Sequence, residues 1–490
     1  LFFVVLTMNK KIYIFVSSSP VFVAFFGSLL LSLVAVLGAV TVGKDAAFYL
    51  DIARQAVVHG PGLALERFDW PWFVLLLAST HKYLGLPLEL AAYLWCAFFM
   101  AGVCALLVDV VRQREPKAVW WAVLVVLAMP AFNQFRADIL REFGFWFFCV
   151  LALWLALRWQ ASRSLAIAVS FLLSIVAAAL FRLEAVLLLP ALALWQLPAL
   201  RRQGQQAGAL QLYLLLAGLA GIGVFGLLAA VQLFHFPADR LIYYAQLLSP
   251  HRLLQSFNAL AEQFGNSMTY KYSRDEAGQI VFFGLLAALL IKFFQLLGPF
   301  LLLLFDRSSW ARLCAVVRRF PLFGWAALLY FLVLLLFFIQ QQFVNARYLS
   351  FLNLLAVPIV ATLAAACAER WPRLRRVFVV IALLVMVANV VSLSAKKTHY
   401  VAAGKWLSEH VPAQARIYYD DGRIAYYAGR GYPVSPPLKS ALDAPQDFDY
   451  LVIEADGDEA WLVEWLGRHD LHVIERFANR KDDTVLVIGE

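Results

Sequence analysis

Charge is scarce in this sequence: Asp, Glu, Lys and Arg together make up 15% of its 490 residues. A soluble domain carries roughly a quarter charged residues, so a water-facing exterior is excluded for most of this chain. Cysteine is scarce too. The five present, Cys96, Cys104, Cys149, Cys314 and Cys367, lie in apolar segments or at their edges without metal-ligand spacing. They read as small buried hydrophobes. The polar C-terminal stretch has none, so no disulfide holds it together. It also lacks any GxGxxG or P-loop pattern, which leaves nucleotide binding without support. The apolar segments do not alternate with polar residues as barrel strands do, and a chain this apolar is not disordered.

What is abundant is hydrocarbon. Hydrophobic residues make up 63% of the chain, and mean hydropathy is +0.75. Apolar runs of about twenty residues recur, the length a helix needs to cross ~30 Å of bilayer core. The 41 Lys and Arg against 32 Asp and Glu leave a net charge of +9. In a membrane protein this excess reflects cytoplasmic anchoring and contact with anionic lipid head groups, so nucleic-acid binding is not implied.

The expected fold is a polytopic α-helical membrane protein of about eleven crossings with a small C-terminal α/β domain. The first span runs from 21 to 42, and Lys10 and Lys11 before it assign its start to the cytoplasm. No structure is assigned to Leu1–Val16, where Met8 is a candidate start. Further spans fall near 88–111, 118–133, 140–157, 164–181, 183–198, 209–234, 279–305, 320–341, 348–368 and 377–395. The arginine-rich loops that follow alternate spans, at 112–117, 158–163, 201–202, 307–319 and 370–376, all land inside. The segment 71–84 is too short to span and contains His81 and Lys82, so a re-entrant or interfacial helix is expected there. The chain then divides into a transmembrane catalytic domain, 1–397, with a first outer loop at 43–87, and an outer domain, 398–490.

In that outer domain, helices are expected around Val401, Trp406 and Leu407, at 424–427 and at 459–468. Strands are expected at 415–419, 450–454, 473–477 and 484–488, with a proline-rich loop at 435–445.

Parity collects the unusual polar residues on the outer side: Lys44, Asp45, Asp51, Asp69, Arg136, Asp138, Arg141, Glu142, Arg182, Glu184 and Arg347. These can share one cavity, and ionisable groups at such depth are costly to keep without a role. After Gly43, the apolar positions Tyr49, Ile52, Ala53, Ala56 and Val57 recur with helical period, marking an amphipathic helix lying on the membrane with Asp45 at its N-terminus. Asp45 has two readings there: a helix cap against the positive dipole end, or a base held at the bilayer surface. The charges of Arg136, Asp138, Arg141 and Glu142 read as a salt-bridge cluster or as part of a site, and Arg182 with Glu184 as a self-satisfied turn or as part of the same site. Lys292, inside an apolar run, either snorkels or sits near a lipid head group. His59, His81, His235 and His251 read as solvated. Carboxylates of this kind are able to bind a divalent cation, although no His or Cys cluster accompanies them.

The ordered set KDAAFYLDIARQ, FDWPWFVLLLAST, ILREFGFWFFCVLALWLALR, LFRLEAVLLLP and NARYLSFLNLL resembles the GT-C glycosyltransferases, in the branch of protein O-mannosyltransferases and the lipid A aminoarabinose transferase. The resemblance covers nearly all of the chain. It implies an enzyme of the bacterial inner membrane, with a cytoplasmic N-terminus and a periplasmic C-terminal domain. Such an enzyme takes one sugar from a polyprenyl-phosphate donor and places it on a lipid, glycan or protein acceptor at the outer face. It further implies Asp45 as general base and Glu142 as the second acidic position. Asp69, Arg136, Asp138, Arg141, Arg182, Glu184, Arg347 and Tyr348 are the substrate-binding candidates. Two departures stand out: Trp70 occupies the lysine position of the aminoarabinose motif, and Ala46 the second acidic position of the mannosyltransferases.

The alternatives are a transporter or flippase and a polymer ligase. Against the first, no internal inverted repeat is visible and the charges gather at one face. The second needs a long outer loop, and 236–279 is long enough, with Tyr270–Asp275 able to cover a site.

Overall fold

Helices dominate because a backbone in hydrocarbon must satisfy its own hydrogen bonds. In this computed structural model, eight helices among the described residues are long and apolar enough to cross a membrane. They are Pro20–Leu37, Leu88–Arg114, Glu142–Ser162, Leu183–Arg201, Gln206–Gly226, Ala277–Phe305, Pro321–Gln341 and Ala346–Arg370. Two shorter apolar helices, Pro116–Ala128 and Leu165–Phe181, and the helix Pro372–Val390 occupy the remaining expected crossings. The structure describes residues 19–234, 242, 243, 246, 249–391 and 395–490. Leu1–Val16, His235, part of the 236–279 stretch and residues 392–394 of the last expected span lie outside the described residues.

The chain divides into two compact units. One holds the residues up to Leu33, Trp95–Arg136 and Arg141–Val390; the other holds Val34–Leu94, Ala137–Leu140 and Val391–Glu490. Where the sequence drew one boundary at 397/398, packing joins the first outer loop to the C-terminal α/β segment.

In the first unit, the expected 118–133 span is broken at Pro130. Met129 adopts an extended conformation and a short helix, Pro130–Asn133, restarts after it. Asn133 Nδ2 donates to the Leu127 carbonyl at 2.8 Å, satisfying an acceptor at the interruption. Ion pairs in this unit join helix ends that the loop parity puts on one side. Asp109 binds Arg112 and Arg158, and Glu115 binds Arg319, all at ends read as inner. Lys292 Nζ donates to the Val344 carbonyl at 2.8 Å. Cys314 is exposed, against the expectation of burial for every cysteine. The stretch 236–279 is no plain loop either, since it contains the helices Pro250–Asn266 and Lys271–Asp275.

The second unit holds a four-stranded sheet in the order β1, β2, β4, β3: β1 is Ile417–Tyr419, β2 Tyr450–Glu454, β3 His472–Ala478 and β4 Thr484–Gly489. β1 runs parallel to β2, and β4 is antiparallel to both of its neighbours. Alternation along the strands divides the core. Val452, Val485 and Val487 face Tyr400, Leu407 and Ile424, whereas Leu451, Ile453, Leu486 and Ile488 face Ala441 and Leu462. The first face is covered by the helices Thr398–His410 and Gly422–Tyr427, the second by Leu438–Asp443 and Ala460–His469. The helix Leu438–Asp443 lies inside the expected 435–445 loop; Pro437 is its N-cap residue, a position that tolerates proline.

The first outer loop forms the helices Lys44–His59, Pro61–Arg67 and Trp72–Leu84. The first of these buries Ala46, Ala47, Tyr49, Leu50, Asp51, Ile52, Ala53 and Ala56. That set is wider than one apolar stripe, so protein covers much of the helix, while Lys44, Arg54, Val58 and His59 stay exposed. Small residues at 46, 47, 53 and 56 let the neighbours close in. His81 is not merely solvated, because its Nδ1 lies 2.7 Å from the Leu86 carbonyl oxygen.

Candidate active site

The second acidic position, Glu142, opens the helix Glu142–Ser162 and is 3% exposed. A carboxylate so deep needs cations. Arg182 supplies one: its Nη1 is 2.8 Å from Glu142 Oε1, while its Nε donates to Glu184 Oε1 at 3.2 Å and its Nη2 also pairs with Glu184. Arg347 Nε stands 3.4 Å from the same Glu142 oxygen. Arg141, the residue before the helix, acts electrostatically on both carboxylates. Three guanidiniums therefore act on two carboxylates here.

Local folding places each of these groups. Arg182 is extended between Leu165–Phe181 and the 3₁₀ turn Leu183–Leu187, which sends Glu184 back toward it. Asn345 caps the helix Ala346–Arg370, its side chain accepting from Arg347 N at 3.2 Å. That fixes the first turn, where Arg347 and Tyr348 stand. The Arg182 guanidinium lies 4.5 Å from the Tyr348 ring centre, and Arg347 lies 5.5 Å from it. Tyr330 Oη donates to the Tyr348 carbonyl at 3.0 Å, bracing that turn from the neighbouring helix. Tyr330 was not legible in the sequence, where nothing separates it from other aromatics of an apolar run. Two buried acceptors in the cluster, Glu142 Oε2 and Glu184 Oε2, have no hydrogen-bond partner among the described residues.

The structure therefore brings together Arg141, Glu142, Arg182, Glu184, Arg347 and Tyr348. It does not join Arg136 to them. Arg136 is 3% exposed and donates to Asn133 Oδ1 at 2.7 Å, to the Ser28 carbonyl at 3.0 Å, and to Ser28 Oγ and Ser32 Oγ at 2.9 and 3.0 Å. Those bonds tie the Pro130–Asn133 turn to the Pro20–Leu37 helix.

Asp45, Asp69 and Asp138 belong to the second unit. Asp45 sits in the first turn of the Lys44–His59 helix, half-buried, but is not its N-cap; Gly43 occupies that place and gives no side-chain cap. Asp45 is thus not the N-cap residue, but as the acid of the first turn it meets the positive end of the helix dipole, so both readings of it stand. Asp69 is exposed in the turn before Trp72, and Asp138 lies beside Gly43, where an added Cβ would stand 3.6 Å from Asp138 Oδ1. Two buried acids complete this unit: Asp51, collected with the outer charges but given no role, and Asp421, which was not singled out. Asp51 accepts from Gln55 Nε2 at 2.9 Å and pairs with Arg67 at 3.4 Å. Asp421 is N-cap of Gly422–Tyr427, accepts from Arg423 N and Nε at 2.9 Å each and Nη2 at 2.7 Å, and pairs with Lys44 at 3.1 Å. Burial raises the Asp421 pKa, but the hydrogen bonds from Arg423 and the charges of Arg423 and Lys44 outweigh it, holding the carboxyl below its ordinary range. Among the described residues no group of three or more His, Cys, Asp or Glu stands in a metal-binding arrangement.

No protein-family model and no curated protein sequence matches the chain. Solved structures do. The crystal structure of ArnT from Cupriavidus metallidurans in the apo state superposes with a TM-score of 0.59 at 13% identity, over 96% of this chain and 98% of that one. The chain has the ArnT fold. A second ArnT structure from the same organism, bound to undecaprenyl phosphate, superposes with a TM-score of 0.60 at 13% identity, over 95% of this chain and 97% of that one. The superposition with ArnT extends over nearly the full length of both chains, at a sequence distance where few side chains coincide.

Proposed function

We propose that the protein is a glycosyltransferase of the bacterial inner membrane, moving one sugar from a polyprenyl-phosphate donor to a lipid, glycan or protein acceptor at the periplasmic face. The observation that carries this reading is the cluster of Arg141, Glu142, Arg182, Glu184 and Arg347, in which three guanidiniums meet two largely buried carboxylates whose Oε2 atoms have no hydrogen-bond partner among the described residues. It stands in a chain with the fold of ArnT, a lipid A aminoarabinose transferase solved with undecaprenyl phosphate bound.

The chemistry needs no nucleotide domain, because a sugar on a lipid phosphate already carries its leaving group. A carboxylate takes the acceptor hydroxyl proton, the acceptor oxygen forms a bond to the anomeric carbon, and the bond from that carbon to the phosphate oxygen breaks, releasing polyprenyl phosphate. We assign the proton to Asp45. Arg347 and Arg141 hold the departing phosphate by charge-assisted hydrogen bonds. Arg182, its fork engaged by Glu142 and Glu184, orients those carboxylates, whose free oxygens accept from sugar hydroxyls. Asp69 and Asp138 contribute to acceptor binding.

The test is to incubate purified protein with a panel of polyprenyl-phosphate sugars and membrane-derived acceptors and to measure freed polyprenyl phosphate. Release that depends on both donor and acceptor is expected. Transmembrane movement of the lipid-linked sugar without release would support a flippase instead.

A further inference from the structure

We infer that residues 421–432 of the C-terminal α/β fold are a brace for the Lys44–His59 helix, with Asp421 and Tyr427 as positioning residues for Asp45; the inference rests on the role proposed for Asp45. The N-terminus of that helix has little local support. Its N-cap is Gly43, which provides no side-chain acceptor, and the preceding residues 39–43 have no regular structure.

Support comes from the far end of the sequence instead, at two residues just before Asp45. Val42 N donates to Tyr427 Oη at 2.8 Å, across 385 positions of chain. Lys44 Nζ pairs with the fully buried Asp421 at 3.1 Å.

The contacts continue down one face. Phe48 meets the edge of Tyr432 with ring centres 5.8 Å apart, and the Arg54 guanidinium lies 5.5 Å from the Tyr426 ring centre. Between them, Gly431 sits against Asp51: at φ +78° it adopts a conformation that favours glycine, and an added Cβ would stand 3.1 Å from Asp51 Oδ1. Positions 44, 48, 51 and 54 recur at three- and four-residue steps, so they form one stripe of the helix. This stripe carries Lys44, Asp51 and Arg54, the polar side in any reading of the sequence. The C-terminal fold thus docks on the face that an amphipathic helix would turn to water, and it fixes the turn that carries the base.

The experiment uses the full chain in nanodiscs, with Tyr427→Phe, which removes only the acceptor for Val42 N, and Lys44→Met, which removes the pair with Asp421 but leaves Asp421 its Arg423 partner. Hydrogen exchange at residues 42–48 should rise about tenfold or more in both, without change in the Glu142–Ser162 helix. kcat should fall roughly ten- to a hundredfold with donor KM within about twofold, because misplacement of a reacting group acts on the chemical step. Lys44→Arg should restore both readouts. Unchanged exchange at 42–48 in both variants overturns the brace, and raised exchange with unchanged kcat overturns the positioning role. Asp45→Asn, measured beside them, separates the two levels: full turnover in that variant removes Asp45 as the base, while the exchange data still judge the brace.

Discussion

Arg182 and Glu142 form a 2.8 Å ion pair between residues forty positions apart, both almost wholly withdrawn from solvent. The same Glu142 oxygen also faces Arg347 at 3.4 Å, so the ends of three helical segments meet at one carboxylate. A buried pair of this kind stabilises little by itself, but losing one partner leaves the other uncompensated.

Arg182→Gln is therefore expected to destabilise the protein by about 3–5 kcal/mol, because it exposes Glu142 and Glu184 to each other in a buried site. Arg182→Lys should fall between, keeping the charge but losing the fork that reaches both carboxylates. Thermal unfolding in detergent measures this. A midpoint unchanged in Arg182→Gln contradicts the cluster as described.

Arg347→Ala should act differently. Its contact to Glu142 is the longer one, and Arg182 remains, so the melting temperature should move less than in Arg182→Gln. The donor KM should rise roughly ten- to a hundredfold, the worth of a hydrogen bond to a charged group, about 1.5–3 kcal/mol. Donor titration of the purified variant checks this, and an unaltered curve removes Arg347 from phosphate binding.

Asp421 gives a pH signature. Burial opposes its ionisation, but Arg423 and Lys44 prevail, so its folded pKa lies below the unfolded value of about 3.9. The stability this contributes is present above pH ~4 and is lost as pH falls through the folded pKa. Asp421→Asn should thus unfold at lower temperature than the parent at pH 7, with the gap narrowing below pH ~4. A gap constant across that range would show that Asp421 acts as a neutral cap alone.

Much of this architecture was legible in the sequence. The expected crossings fall on helices, the 118–133 one interrupted at Pro130, because a long apolar run in a bilayer has to satisfy its own backbone hydrogen bonds, and the strands of the C-terminal sheet were betrayed by their β-branched residues and turns. The Arg182 and Glu184 pair was visible as charges interrupting apolar runs, and Arg347 likewise. What was hidden is long-range. The sequence could not reveal that Arg136 Nε and Nη1 are engaged by Ser28, Ser32 and Asn133, since a buried arginine bonded to hydroxyls and carbonyls looks identical in one dimension to one awaiting a phosphate. Nor could it show that Asp421 reaches Lys44, because the helical pattern of residues 44–57 marks a polar face without saying whether water or protein covers it. Pro130 broke a span for a local reason that an apolar count overlooks.

The central claim is that a carboxylate on the first outer loop performs transfer from a lipid-phosphate sugar. Asp45→Asn tests it most directly, because the substitution keeps size and hydrogen bonding while removing the base. The account predicts a protein that folds and inserts as the parent does but releases polyprenyl phosphate from its donor, in the presence of acceptor, at least ~10²-fold more slowly. Release at the parental rate by a correctly folded Asp45→Asn protein would contradict it.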